Sequence, residues 1–212
     1  MRIVTISDTH LRHNIVVPDG DVLIHAGDLT MSGSIPEVIE ATHWLHRLPH
    51  KYKVVVAGNH DWLFQLAPEK ARSLMNGLVY LQDEEIMIEG YHIFGTPWQP
   101  AFLAWAFNVP RGRELQEKWK TIPDHIDILV VHGPPMYFQD SNGKEHVGSE
   151  ELLERLLQIN PLLVVCGHIH EGYGESYITL RDSNIHVVNA CICDEKYRPV
   201  NQPIIIELED RI

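Results

Sequence analysis

The chain has little positive charge, few cysteines and no long hydrophobic run. Its 212 residues include 17 Lys or Arg and 29 Asp or Glu, so the formal net charge is −12. This balance argues against a broad surface for the phosphate backbone of a long nucleic acid. A small anionic substrate remains compatible with it, because bound metal ions can invert the local field.

The scarcity of cysteine and of long apolar segments limits the location of the protein. Cys166, Cys191 and Cys193 lie in apolar, strand-like sequence, and an odd number of such residues favours reduced thiols in a cytoplasmic protein. The apolar runs are too short for a transmembrane helix. Because Met1 and Arg2 lead directly into one of these runs, we predict no secretory signal. A cytoplasmic protein without a membrane partner is expected, and its oligomeric state stays open.

Five short apolar runs each end at residues that can bind a metal or move a proton. The runs are IVTIS, VLIHA, KVVVA, DILVV and LLVVC. Such runs are typical of strands that are buried on both faces. The candidate ligands that follow them are Asp8, His10, Asp28, Asn59, His132, His168 and His170. Ligands of layered α/β proteins bind outside the carboxyl ends of the strands, so the pattern predicts one shared site.

The order of predicted elements favours an α/β fold, a four-layer αββα sandwich, as a single domain over residues 1–212. Apolar residues at helical spacing predict a helix over 35–48. Further helices are predicted over about 68–75, 111–120 and 149–159, the last one capped by Ser149. A β-hairpin is expected around Glu89 and Gly90, and the last part of the chain is rich in strands.

The spacing of the candidate ligands suits a metal centre. Asp8 and His10 are two residues apart, so their side chains leave the same face of an extended strand end, and His168 and His170 repeat this spacing. Asp28 follows a glycine and could bridge two ions, while Asn59 would add a neutral oxygen. A mixture of oxygen and imidazole ligands suits manganese, iron or zinc.

These motifs resemble the calcineurin-like metallophosphoesterase superfamily over nearly the whole chain. Segments 167–174, 107–112 and 201–205 are similar to the narrower MPPED (239AB-type) phosphodiesterase group. The resemblance implies that Asp8, His10, Asp28 and His170 bind a first metal. It likewise implies that Asp28, Asn59, His132 and His168 bind a second, with Asp28 shared. Manganese is the expected metal in vitro.

The expected chemistry is hydrolysis of a small phosphodiester by a hydroxide that bridges the two metals. His60 is our candidate for the general acid that protonates the leaving group, since it adjoins Asn59 without occupying a ligand position. The alternatives for His60 are a further ligand or a loop histidine. Asp61 could orient His60, or it could cap the following helix, and the sequence favours neither role.

Candidate substrate contacts are less specific. Tyr137, Phe138 and Tyr173 follow ligand motifs directly and could line a pocket. The aromatic loop 98–107, which starts at Trp98, could stack on a base or aryl group, but a hydrophobic plug is the favoured interpretation. Arg111 could hold a phosphate, although an arginine near a helix start is more often solvated.

The leading hypothesis is a phosphodiesterase for small diesters, with cyclic nucleotides among the candidate substrates. The phosphoprotein phosphatases, our first alternative, place an Asp-Arg pair after the Gly-Asp motif and an arginine before Gly-Asn-His. Here Gly27-Asp28 continues as Leu-Thr-Met, and Ala57 precedes Gly58. A phosphomonoester dianion would therefore lack its clamp. A catalytically silent scaffold on the same fold is the alternative from another class, but it should have lost ligands.

Overall fold

The computed structural model describes residues 1–211 as alternating strands and helices. The strands are β1 Arg2–Ile6, β2 Val22–His25, β3 Tyr52–Val55, β4 Val79–Tyr80, β5 Glu84–Ile88, β6 Tyr91–Thr96, β7 Gln99–Pro100, β8 Asn108–Val109, β9 Ile128–Val131, β10 Leu163–Cys166, β11 Gly174–Thr179, β12 Asn184–Asn189 and β13 Ile204–Glu207. The α-helices are α1 Ile35–Arg47, α2 Trp62–Leu66, α3 Pro68–Leu74, α4 Arg113–Trp119 and α5 Glu150–Ile159. No helix in this described part is long and apolar enough to cross a bilayer.

Two sheets carry the ligand-bearing strands. The first sheet has the order β13-β1-β2-β3-β4, and the second has the order β11-β12-β10-β9-β6-β5. Strands β1, β2 and β3 are mutually parallel neighbours, and so are β9 and β10. The five predicted strands thus form two adjacent groups, one in each sheet. Because strands within a group are parallel, their carboxyl ends meet at the same edge.

Three apolar clusters hold the layers together. One lies between the sheets, with Ile3 and Val54 from the first sheet and Val130 and Val165 from the second. Another packs α1 and α3 on the outer face of the first sheet. The third packs α4 and α5 on the outer face of the second sheet. The predicted αββα sandwich is therefore confirmed. Strands such as β2 and β10 are buried throughout, which explains why their sequences are continuously apolar.

The predicted elements differ from the observed ones mainly at their ends. The hairpin of β5 and β6 and the Ser149 cap, which accepts a hydrogen bond from the Leu152 N–H at 3.0 Å, are confirmed. Helix α4 begins at Arg113 and not at 111, because Gly112 has a φ of 84° that cannot belong to a helix. The short helix α2 was not predicted, and the aromatic segment contains the small β7–β8 pair.

Candidate metal centre

The seven predicted ligands all lie at the carboxyl ends of the two strand groups. Asp8 and His10 follow β1, Asp28 follows β2 and Asn59 follows β3, while His132 follows β9 and both His168 and His170 follow β10. Asp8, His10, Asp28, Asn59 and His132 are buried, and His168 and His170 are partly buried. The sandwich therefore brings side chains from both sheets to one edge, as expected.

Asp28 and Asn59 join the two sheets at this edge. The Asp28 Oδ2 atom lies 3.5 Å from His132 Nε2 and 3.8 Å from His10 Nε2. The Asn59 Oδ1 atom lies 2.9 Å from His132 Nε2 and 2.8 Å from His168 Nδ1. On the other side of Asp28, the Asp8 Oδ1 atom is 3.3 Å from His170 Nε2. Oxygen and nitrogen donors from both sheets thus converge around Asp28.

Three of the histidines are oriented by backbone carbonyls. The Nδ1 atom of His10 lies 3.1 Å from Thr30 O, that of His132 lies 2.9 Å from Ala26 O, and that of His170 lies 2.8 Å from Asp194 O. A ring that donates from Nδ1 keeps a proton there, so Nε2 is the nitrogen that can bind a metal. Metal-binding histidines are oriented in this way, and the contact also increases their basicity.

Unpaired buried atoms indicate that a cation fits between these groups. The Asp8 Oδ1 and His10 Nε2 atoms are buried without a hydrogen-bond partner. Leaving such a group unsatisfied costs about 1–3 kcal/mol, more when it is charged. Ligand atoms of Asp8, Asp28 and His132 lie within 4.8 Å of one another. A hard or borderline metal ion would satisfy these oxygen and nitrogen atoms together.

The carboxylates keep their negative charge in spite of burial. Burial alone would raise the pKa of Asp28, but the adjacent positive charge of His132 holds that pKa below its ordinary range. Burial likewise acts on Asp8, but the nearby imidazole of His170, with its Nε2 atom 3.3 Å from Asp8 Oδ1, holds the pKa of Asp8 well below its ordinary range. In turn, burial lowers the pKa of His132, and Asp28 overcomes this effect and raises it to about 9. Asp8 and Asp28 therefore remain ionised, and a cation bound between them would take the place of the proton on His132.

Several ligands occupy the left-handed region of the backbone. The φ angles are 51° for Asp8, 44° for His10, 54° for Asp28 and 69° for His168. Aspartate and histidine tolerate this region better than bulky residues, yet it costs free energy and persists where the surrounding fold enforces it. The strain accompanies the sharp turns by which each chain segment leaves its strand and directs a side chain toward the site.

Two glycines allow the strand ends to approach each other. A Cβ atom on Gly58 would collide with the Asp28 carboxylate, and one on Gly167 would collide with Asp8 and Ser7. Both glycines directly precede ligands, Asn59 and His168. Because these two glycines have no side chain, each leaves room for a carboxylate from the end of another strand.

His60 faces the site without lying among the predicted ligands. Its Nδ1 atom lies 2.7 Å from Met31 O, so the other nitrogen is free. A ligand atom of His60 lies within 4.8 Å of those of His10 and Asp28. The His60 backbone N–H also donates to Asp28 Oδ1 at 2.8 Å. The geometry allows His60 to deliver a proton to a group bound beside Asp28.

Asp61 occupies the N-cap position of helix α2, but its carboxylate forms hydrogen bonds other than those expected for either predicted role. Its carboxylate accepts hydrogen bonds from the Gly58 N–H at 2.8 Å, from the Thr30 N–H at 3.0 Å and from the Thr30 hydroxyl at 2.7 Å. Among the described residues it contacts neither the His60 ring nor a free N–H of helix α2. Asp61 instead fastens the loop after Asp28 to the turn that carries Asn59.

Two of the predicted substrate residues have other partners. The Trp98 indole N–H donates to Asp83 Oδ2 at 2.8 Å, and its ring packs on Phe107 with centroids 5.4 Å apart. The Arg111 guanidinium donates to the carbonyls of Gly148 and Val147 at 2.7 and 2.6 Å. Trp98 thus packs within its own loop, and Arg111 anchors a loop.

The other three predicted substrate residues vary in exposure. The Tyr137 side chain is 61% exposed, whereas Phe138 packs against the outer core of the second sheet. Tyr173 lines a cavity of about 310 Å³ beside His170, and its hydroxyl donates to Gln202 O at 2.9 Å. Of these three residues, Tyr173 is therefore the one that lines a cavity together with a predicted metal ligand, His170.

Two further aromatic residues lie near the site: Tyr197, which was not predicted, and Trp105, which belongs to the predicted aromatic loop 98–107. The Tyr197 ring lies edge-on to His10, with centroids 4.7 Å apart, and the Trp105 ring stacks on His60 at 4.3 Å. Tyr197 follows no ligand motif, and Trp105 is one aromatic among several in its loop. Cys191 was expected as a core thiol, and its Sγ also donates to Asp8 Oδ2 at 3.1 Å.

A buried cluster of carboxylates and imidazoles between two sheets defines a metallohydrolase-type site on an αββα sandwich. A model of the calcineurin-like phosphoesterase family matches residues 1–172. The chain belongs to this family, which supports metal-dependent phosphoesterase activity and a binuclear divalent metal centre.

Relatives and a solved structure agree with this assignment. Metallophosphoesterase domain-containing protein 1 from Homo sapiens is 44% identical over 234 residues, which cover 98% of this chain and 71% of the relative. A UPF0046 protein from Caenorhabditis elegans is 36% identical over 232 residues, with 98% and 81% coverage. A crystal structure of a Thermus thermophilus protein shares the fold, with a TM-score of 0.58, 17% identity and 88% coverage of each chain.

Proposed function

We propose that this chain is a phosphodiesterase for small diesters and that residues 1–212 act as one metallophosphoesterase domain. The segment after the family match supports the single domain, because β11 and β12 belong to the second sheet and β13 pairs with β1. Separating this segment from the rest would remove strands from both sheets.

Among the described residues, no lysine or arginine pairs with the seven predicted ligands. Our preference for a diester substrate rests on this observation. Within residues 1–211, the hydrogen bonds and ion pairs of the seven ligands involve only carboxylate, imidazole, amide, hydroxyl, thiol and backbone groups. Arg111 and Arg198 are engaged with carbonyls and with Asp194. A monoester dianion needs more positive charge than a diester monoanion, and in the described part of the chain no lysine or arginine pairs with the ligands to supply it.

The proposed ligand sets share Asp28. Asp8, His10, Asp28 and His170 would hold one metal ion, and Asp28, Asn59, His132 and His168 would hold the other. Two bound ions would supply Lewis-acid activation of water and neutralise charge on the phosphoryl oxygens. Manganese is our preferred metal in vitro, with iron and zinc as alternatives for the same donor set.

We further propose His60 as the general acid and Asp61 as a positioning residue. The hydrogen bond between His60 Nδ1 and Met31 O fixes the tautomer at that nitrogen, so a second proton on Nε2 could be given to a leaving oxygen. Asp61 acts at a distance from the ring, through its bonds to Gly58 and Thr30. These bonds hold the turn that carries both Asn59 and His60.

Aromatic rings beside the ligands support a substrate with a planar group. Trp105 and Tyr197 lie against His60 and His10, and Tyr173 lines the cavity beside His170. Stacking on such rings stabilises a base or aryl group by about 1–3 kcal/mol. Cyclic nucleotides are therefore candidate substrates in this proposal, and Tyr137 and Phe138 are its less specific candidate contacts.

The test compares an aryl diester with the corresponding aryl monoester on the manganese-loaded protein. We expect kcat/KM for the diester to exceed that for the monoester by at least about tenfold, or ~1.4 kcal/mol. Faster turnover of the monoester would instead support the phosphomonoesterase alternative. An Asn59→Ala variant should lose at least about 100-fold in diester turnover, and Asn76→Ala, on the surface, is the matched control. Absence of both metal and hydrolysis would support the scaffold alternative.

A further inference from the structure

A second cluster of metal-binding side chains lies at the opposite edge of the second sheet. It consists of Glu85, His92 and His125. Glu85 belongs to β5, His92 lies near the start of β6 and His125 precedes β9. Strands β6 and β9 are parallel, and their carboxyl ends point toward the candidate metal centre. The cluster at their amino ends is therefore separate from that centre.

One carboxylate oxygen faces both imidazole rings. The Glu85 Oε1 atom lies 2.5 Å from His92 Nδ1 and 3.1 Å from His125 Nε2. The two rings are nearly perpendicular, at 88°, with centroids 4.9 Å apart. Ligand atoms from the three side chains all lie within 4.8 Å of one another. Ligands of a tetrahedral zinc ion lie about 3.3 Å apart when the bonds are about 2.0–2.1 Å long, so small side-chain movements would suffice.

The backbone holds the two histidines together before any ion binds. The His92 N–H donates to Asp127 Oδ2 at 2.9 Å, and the Asp127 N–H donates to His92 O at 2.9 Å. Arg211 also donates to Asp127 Oδ2, at 2.7 Å. Because His125 is only two residues before Asp127, these bonds fix its position relative to His92. A preorganised ligand set loses less entropy when it binds a metal.

We propose that Glu85, His92 and His125 form a second metal site for a divalent transition-metal ion of the zinc class. Three protein ligands leave at least one coordination position open to water, which agrees with the exposure of the cluster. The side chains of Glu85, His92 and His125 are 27%, 32% and 60% exposed. The bound ion would connect the β5–β6 hairpin to the segment that leads into β9.

A single His–Glu pair elsewhere on the same sheet provides a matched control. His186 Nε2 lies 2.8 Å from Glu175 Oε2, and this histidine stacks on Tyr177. The pair resembles half of the proposed site, but it supplies only one imidazole. Zinc binding that depended merely on an exposed His–Glu pair would be affected equally at both places.

The experiment measures zinc bound per chain by equilibrium dialysis, with Zn²⁺ as the probe and the full chain preloaded with Mn²⁺. Zinc that exchanges into the candidate metal centre contributes equally to all variants. We expect the wild type and His186→Gln to bind one zinc ion more than the double variant His92→Gln/His125→Gln. Equal zinc binding by the wild type and the double variant would overturn the proposal.

A milder variant guards against misfolding of the double variant. His125→Gln changes a loop side chain whose hydrogen bond in the described structure is to Glu85. We expect it to weaken zinc binding at this site at least about tenfold, while thermal unfolding without zinc stays as in the wild type. An unchanged zinc-binding curve for His125→Gln would also contradict the proposal.

Discussion

The two ends of the second sheet use histidine and carboxylate in different ways. At the carboxyl ends of β9 and β10, His132 is fully buried and meets Asp28 from the other sheet. At the amino ends of β6 and β9, His92 and His125 are partly exposed and meet Glu85 from the same sheet. The donor types are similar, but only the first cluster lies between the two sheets.

The two clusters also differ in backbone conformation and in the groups that orient their histidines. Four ligands of the carboxyl-end cluster have positive φ angles, whereas Glu85, His92 and His125 are absent from the positive-φ residues of the described chain. Three of the buried histidines are held by carbonyls, while the exposed rings depend on Glu85. A site that performs chemistry requires this rigidity, because the reacting groups must be held in place. An accessory cation site does not.

The largest expected effect tests whether a buried, oriented histidine differs from an exposed one. His60→Gln should reduce turnover of a diester with an alkyl leaving group by about 10²–10⁴-fold, because the leaving oxygen loses its proton donor. An activated aryl diester needs less protonation and should lose far less. Steady-state kinetics on both substrates gives the comparison. His43→Gln, on the exposed face of α1, is the control, and equal losses for both substrates would remove His60 from the general-acid role.

A smaller effect tests the close approach of strand ends at the buried cluster. Gly58→Ala should destabilise the protein by about 1–3 kcal/mol, because the added methyl group meets the Asp28 carboxylate and backbone. In Gly143→Ala the added Cβ meets nothing within 4 Å, so only the φ of 80° should cost free energy, about 1 kcal/mol. Urea unfolding measures both. A cost for Gly58→Ala no greater than that for Gly143→Ala would show that the approach is not tight.

The last expected effect concerns the pH dependence of stability, through a neutral histidine that packs against α1. Burial lowers the pKa of His13, which stacks on Trp44, from 6.5 to about 4. Between these values the unfolded chain binds a proton at His13 more readily than the folded protein does. Stability should therefore fall as pH decreases from 6.5 to about 4.

The variant His13→Phe keeps an aromatic ring on Trp44 but cannot titrate. Its urea midpoint should fall less steeply than that of the wild type over this pH range. Identical pH profiles for the two proteins would show that His13 does not contribute to the acid sensitivity.

Much of the fold and the ligand set follows from local sequence patterns. Strand burial is visible in the runs before Asp8, Asp28, Asn59, His132 and His168, and the sandwich confirms their arrangement. The position of Tyr197 beside His10 could not be predicted from local sequence. Its loop is held there by two isolated β-bridges, one between Ser7 and Cys191 and one between Cys193 and Pro199. Asp61 illustrates the same limit, since its partners Thr30 and Gly58 arrive from two different strand ends.

The sequence by itself determined which residue types stand at the strand ends, because side-chain alternation and strand length are local properties of the chain. Tertiary structure alone decided which atoms face each other. The pairing of Asp28 with His132 and the Ala26 carbonyl that orients His132 depend on how the two sheets pack. The parallel arrangement of β6 and β9 separates the cluster at their amino ends from the buried ligands. Contacts between residues more than 100 positions apart arise from the order of strands, which no short segment encodes.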